Sequence, residues 1–145
     1  MTTLSHHLPA LQVIVPMLSA PLVMLLKPSG LARAAAVAAS LFAFVIAIAM
    51  TMGVLDGNVY TYRMGSWPAP YGIELMVDRF SALLLLIVTG ASSFALLAGR
   101  RSIDSDIDES RQPLFYSAWL LALAGLSGIP VAADAFNIFV FMEIS

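Results

Sequence analysis

Long apolar runs separated by short polar stretches organise this chain. The first run extends from Leu8 to Leu26, carries Pro9, Pro16 and Pro21, and is closed by Lys27 and Pro28. The second, Ala34 to Leu55, contains no charged residue. The third covers Phe80 to Ala98 and the fourth Pro113 to Ala133. A fifth starts at Ala135 and is still apolar at Ile144. A hydrocarbon layer of about 30 Å takes roughly 20 helical residues to cross. The pattern therefore predicts an all-α membrane protein, with four transmembrane helices at 8–26, 34–55, 80–98 and 113–133 and the first half of a fifth at 135–145, in one membrane domain. The prolines of the first run predict a kink, tolerable where neighbours satisfy the freed carbonyls. That run is long and no Lys or Arg precedes it, which favours a retained helix over a signal peptide.

Helix faces and helix starts can be read within this frame. Ala36, Ser40, Ala43 and Ala47 share one face of the second run, and Ala118, Ala122, Gly125 and Gly128 one face of the fourth. Small residues at such spacing let helix backbones approach closely in lipid, so both faces read as packing seams. Asp78 precedes the third run and Asp134 the fifth; each is placed to cap its helix by accepting backbone N–H groups, with an ion-access role as the alternative. Thr89, Ser92 and Ser93 share a face of the third run. They either line a polar interior or bond back to their own helix, the second being the plainer reading. Pro130 should bend or end the fourth helix.

The polar stretches differ in kind. Asp56 to Met76 holds Gly57, Gly65, Pro68, Pro70 and Gly72 among Tyr60, Tyr62, Trp67 and Tyr71. Glycine and proline at that density argue against helix, and the aromatics suit a membrane–water interface. Gly99 to Gln112 alternates carboxylates and arginines without calcium-loop spacing, and reads as a solvated connector. His6 and His7 read as part of a solvated amino terminus rather than a metal site.

Composition agrees with the membrane reading: 60% of residues are hydrophobic and 11% charged, against about 25% charged in an average soluble domain. The net charge of −2 gives no reason to expect a nucleic-acid partner, and the lack of cysteine excludes disulfides and thiolate metal sites within the chain. No phosphate loop, zinc pattern or nucleophile–base set occurs, so neither a cofactor nor chemical catalysis is expected. Alternating the spans places Lys27, Arg33, Arg100, Arg101 and Arg111 on one side and only Arg63 and Arg79 on the other. The positive-inside rule then puts the first set in the cytoplasm and the amino terminus outside.

One residue breaks the apolar pattern. Glu143 is the only carboxylate, lysine or arginine inside an apolar run. Nine helical residues beyond Asp134 place it about 13 Å into the membrane. A carboxylate there is costly, and such residues usually face a protein interior or a wet path. Glu143 is accordingly the candidate ion- or proton-path residue, and no basic partner for it lies within the apolar runs.

Three stretches resemble the antiporter-like subunit family shared by respiratory complex I, membrane-bound hydrogenases and Mrp-type multisubunit cation/proton antiporters. Val77-Asp78-Arg79-Phe80-Ser81-Ala82-Leu83 is similar to the family's motif before its third helix. Asp134 to Glu143 is similar to the beginning of its fifth helix, with Ala135 where a bulkier residue is usual. Gly65 to Leu75 looks most like the D-type component of Mrp antiporters. The resemblance covers nearly the whole chain but only the first third or so of a typical member, so the chain reads as the amino-terminal part of a longer subunit. It implies exchange of sodium or another monovalent cation for protons, in a bacterial inner membrane, with the lipid bilayer and other membrane subunits as partners. The glutamate matching Glu143 would pair with a lysine on a later helix. Two other roles stay open: a proton-pumping subunit of a redox-driven complex, and a structural membrane subunit that carries no ions.

Overall fold

The computed structural model describes residues 3–63 and 72–145, with side chains from His7 onward. The described chain is nearly all helical. Helix α1 spans Thr3–Leu25, α2 Ser29–Leu55 and α3 Arg79–Ala98. A short α4, Arg100–Asp106, is followed by a 3-10 turn, and then by α5, Gln112–Gly128, and α6, Ala135–Ile144. Four helical stretches, His7–Leu25, Ser29–Leu55, Arg79–Ala98 and Glu109–Val131, are long and apolar enough to cross a membrane. The chain is an integral membrane protein.

Several boundaries differ from the hydropathy pattern for local reasons. α1 begins at Thr3 and stays continuous through Pro9, Pro16 and Pro21. α2 starts at Ser29 rather than Ala34. Its beginning is set by the extended Pro28 (φ −73°, ψ 119°), and Arg33 is taken into the helix, where a long stem can lie on apolar surface while its head reaches the interface. α5 stops at Gly128 and passes into a 3-10 turn at Ile129–Val131, five residues short of the end of the apolar run, because Pro130 cannot continue the hydrogen-bond ladder. The stretch 99–112 is not merely a solvated connector: it forms α4, with Ile103 buried beneath it.

The polar stretch after α2 turns at Gly57, whose positive φ of 90° suits a residue without a side chain. It then forms a β-hairpin of β1, Tyr60–Arg63, and β2, Glu74–Val77, paired antiparallel from Tyr60↔Val77 to Arg63↔Glu74. Tyr60, Leu75 and Val77 are buried. The predicted irregular stretch thus contains a small sheet. Trp67, Pro68, Pro70, Tyr71 and most of the Gly65–Leu75 resemblance fall outside the described residues.

The helices pack most extensively as α1 on α5, α2 on α3 and α1 on α2. Ala36, Ser40, Ala43 and Ala47 are all buried, as the small-residue face of α2 predicts. The core has two layers. One, at the hairpin end, joins Val13, Met50, Leu75, Leu85 and Val131. The other, at the arginine-rich end, joins Val23, Ala36, Leu96, Tyr116 and Leu120.

Candidate ion-path site

The hairpin fixes where α6 begins. The backbone N–H of Ala133 donates to the Glu74 carbonyl at 3.0 Å, and Leu75 pairs with Ala132 across an isolated antiparallel bridge. Asp134 follows in extended conformation (φ −138°, ψ 154°), and its Oδ1 accepts the backbone N–H of Asn137 at 2.9 Å. Its Oδ2 accepts a second hydrogen bond from the Asn137 side-chain amide, so the buried Asn137 is satisfied where the helix enters. Asp134 thus caps α6 through Oδ1 and holds the Asn137 side chain through Oδ2.

α6 then descends along α5 at very close range. A Cβ built on Gly125 would lie 2.6 Å from the Phe141 carbonyl oxygen, and one built on Gly128 would collide with the Phe141 ring. Gly125 and Gly128 thus serve the contact expected of the small-residue face of α5. Ala118 does not, being exposed, and Ala122 is only half-buried.

Two residues beyond Phe141 comes Glu143. It does not face the interior of this bundle; it is exposed on the outer side of α6, near Met142 and Phe139, which are 55% and 69% exposed. Among the described residues it has no hydrogen-bond or ion-pair partner, and the described ion pairs are Arg63–Glu74 at 3.2 Å and Arg100–Asp104 at 3.6 Å. Glu143 lies about 13 Å along α6 from Asp134, on a helix whose exposed residues include Phe136, Phe139, Val140 and Met142.

Asp78 caps α3, with its Oδ1 accepting the Ser81 N–H at 2.8 Å. That backbone hydrogen bond holds its carboxyl below the usual carboxylate range, because it stabilises the ionised form. The three hydroxyl residues of α3 divide. Thr89 donates back to the Leu85 carbonyl at 2.6 Å. Ser92 and Ser93 instead reach across to Ser40 of α2, at 3.1 and 3.0 Å, and the Trp119 indole N–H of α5 donates to Ser92 at 2.9 Å. Three helices are joined by this cluster, and Ser40 does more than pack. His7 is exposed, with Nδ1 3.4 Å from the Tyr62 hydroxyl on β1.

Some buried polar groups gave no clear signal in sequence. Gln12 of α1 is fully buried with both amide atoms unpartnered, and Ser127 and Tyr116 of α5 are buried with unpartnered hydroxyls. An amide alone in an apolar run was the available clue for Gln12. Among the described residues, no group of three or more His, Cys, Asp or Glu could hold a metal ion.

No family model matches the chain. It is 35% identical over 135 residues to the D-type component of the Na(+)/H(+) antiporter of Bacillus subtilis, covering 92% of this chain and 27% of that protein. It is 36% identical over 150 residues to the N-type component of the NADH-quinone oxidoreductase of Desulforudis audaxviator, covering 98% of this chain and 29% of that protein. The structure of the Mrp complex from Dietzia sp. contains a chain that matches with a TM-score of 0.83 at 27% identity, over 99% of this chain and 26% of that one. The chain thus spans under a third of the length of the curated relatives it matches.

Proposed function

The chain belongs among the antiporter-like membrane subunits, corresponding to their amino-terminal part, and from that premise we propose that it works in a multisubunit antiporter exchanging sodium or another monovalent cation for protons. In this reading Glu143 is the ion- or proton-handling group. The observation that carries it is the placement of Glu143: an unpartnered carboxylate deep along an apolar helix, turned away from its own bundle. A group so placed is stable only against protein that brings a basic side chain or water to it. Protein beyond these residues, either further helices of the same subunit or a neighbouring subunit, supplies that surface. The close seat of Phe141 on Gly125 and Gly128 holds the depth and rotation of α6, and so aims the carboxylate outward. Asp134 and Asp78 act as caps that fix where α6 and α3 start. The membrane is the bacterial inner membrane, with the arginine-rich end in the cytoplasm.

The test is cation-dependent dissipation of a proton gradient in everted vesicles carrying the intact assembly. Glu143→Gln preserves shape and removes the charge, and exchange is expected to fall to background while assembly persists. Wild-type exchange in that variant refutes the role. The similarity to a component of NADH-quinone oxidoreductase favours a second reading, a proton-pumping subunit driven by redox chemistry in other subunits. Vesicles in which NADH, and not a sodium gradient, drives the flux lost in Glu143→Gln would select it.

A further inference from the structure

Of the three prolines in α1, Pro9 lies near the outer end and Pro21 is exposed, whereas Pro16 sits mid-helix on the buried stripe with Gln12, Val13, Ala20 and Val23. Proline has no N–H, so Pro16 leaves the carbonyl of Gln12, four residues earlier, without its ladder donor. The side chain of that same residue is fully buried, and neither its amide nitrogen nor its amide oxygen has a partner among the described residues. Gln12 thus brings one donor group and two acceptor oxygens to a buried place. α1 nevertheless runs on through Pro16. A proline in a membrane helix is tolerated where the freed backbone group is met by a neighbour or by water.

The fold sets one more such atom at the same depth. The His7 ring reaches Tyr62 of β1, Tyr62 pairs with Leu75 of β2, and Leu75 bridges Ala132 just beyond α5. His7 and Ala132 therefore flank one strand pair. Gln12 comes five residues after His7 along α1, and Ser127 five residues before Ala132 along α5, which runs the other way. At 1.5 Å per residue both stand roughly 7 Å beneath the hairpin. α1 and α5 form the most extensive helix contact of the bundle. Ser127 is fully buried, and its hydroxyl has no partner among the described residues. The hydroxyls of Ser40, Thr89, Ser92 and Ser93, by contrast, are all engaged.

We infer that an ordered water molecule is held in the α1–α5 seam, hydrogen-bonded to the Gln12 amide, the Gln12 carbonyl and the Ser127 hydroxyl. The chemistry of the donor set selects the occupant. Water accepts from the amide N–H, donates to the carbonyl oxygen, and either donates to or accepts from Ser127. A buried water typically makes about three such bonds. A cation would meet the oxygens but face the amide N–H groups, and an anion would face the carbonyl. The water stands in for the ladder bond that Pro16 removes and ties α1 to α5. Ser127 lies between Gly125 and Gly128, so the turn of α5 that seats α6 is the turn held by α1. The site is independent of the role given to Glu143.

The experiment is an electron-microscopy map of the intact assembly at a resolution that shows ordered water, recorded in sodium buffer and in sodium-free choline buffer. Density within hydrogen-bonding distance of both Gln12 and Ser127 is expected in each. A map that shows water elsewhere and none here overturns the inference, as does a direct bond between Gln12 and Ser127. Density lost without sodium assigns the site to a cation and equally overturns it. Thermal unfolding of the assembly gives a second measurement. Gln12→Met and Ser127→Ala should each lower Tm, and the double variant should lower it by less than the sum, because the first substitution already releases the water. Additive shifts overturn the shared site. Pro16→Ala returns the missing N–H to the ladder, so Ser127→Ala should lower Tm less in that background. An equal loss in both backgrounds overturns the part given to Pro16.

Discussion

Replacing Gly125 by alanine should move Glu143 without touching it. The added methyl would lie 2.6 Å from the Phe141 carbonyl oxygen and 2.7 Å from the Ser145 backbone nitrogen. The tighter contact is about 0.8 Å short of the 3.4 Å at which ordinary van der Waals contact begins. Both obstacles are backbone, so no side-chain rotation relieves them, and α6 must retreat from α5. Overpacking of this kind typically costs about 1–3 kcal/mol. Glu143 lies two residues beyond Phe141 and moves with the helix. A displacement near 1 Å at a positioned group can cost on the order of 100-fold in rate. Gly128→Ala meets a different obstacle, the Phe141 ring. The two variants therefore respond differently to Phe141→Ala. Removing the ring should relieve Gly128→Ala and leave Gly125→Ala impaired. The assay is cation-dependent proton flux in everted vesicles, paired with thermal unfolding of the purified assembly. Wild-type flux and stability in Gly125→Ala, or equal rescue of both variants by Phe141→Ala, refutes the claim that backbone contact at Gly125 sets the position of α6.

Two further outcomes follow from the caps and the hydroxyl cluster. Asp78→Ala should cost about 1 kcal/mol through loss of the α3 cap. Because the folded carboxyl is held below its ordinary value, the stabilisation from Asp78 is present above the unfolded value near 3.9 and is lost as pH falls through the lower folded value. Unfolding followed from neutral pH downward should therefore show the wild-type advantage over Asp78→Asn shrinking with acid, and a constant difference would count against it. Ser92→Ala takes away the acceptor of the Trp119 N–H and a contact to Ser40, at about 0.6–2 kcal/mol in a membrane protein. In a Trp67→Phe background the Trp119 emission should shift, whereas Thr89→Val, which breaks only a bond within α3, should leave it unchanged.

Reading along the chain was enough for the number of helices able to cross a membrane, the two aspartate caps and the small-residue seam of α2. Each of these depends on composition and spacing along one chain segment: apolar length against bilayer thickness, 1.5 Å per residue, a short acid before an apolar run. What lay beyond reach was whatever two distant segments settle together. Pro130 announced that α5 would end near it, but nothing along the chain announced that Ala132, just beyond, would pair with Leu75 of β2. Ser40 read as a small packing residue until the fold set it opposite Ser92 and Ser93. The loop 99–112 read as solvated until α4 folded over Ile103 and closed one side of a cavity against α2. The direction in which Glu143 faces belongs to the same class. Its distance from Asp134 is a count along α6, but the side it faces depends on how α6 seats against Gly125 and Gly128. A helix contacts its neighbour through the face that packing selects, and the apolar sequence of α6 is uniform enough that periodicity alone names no such face.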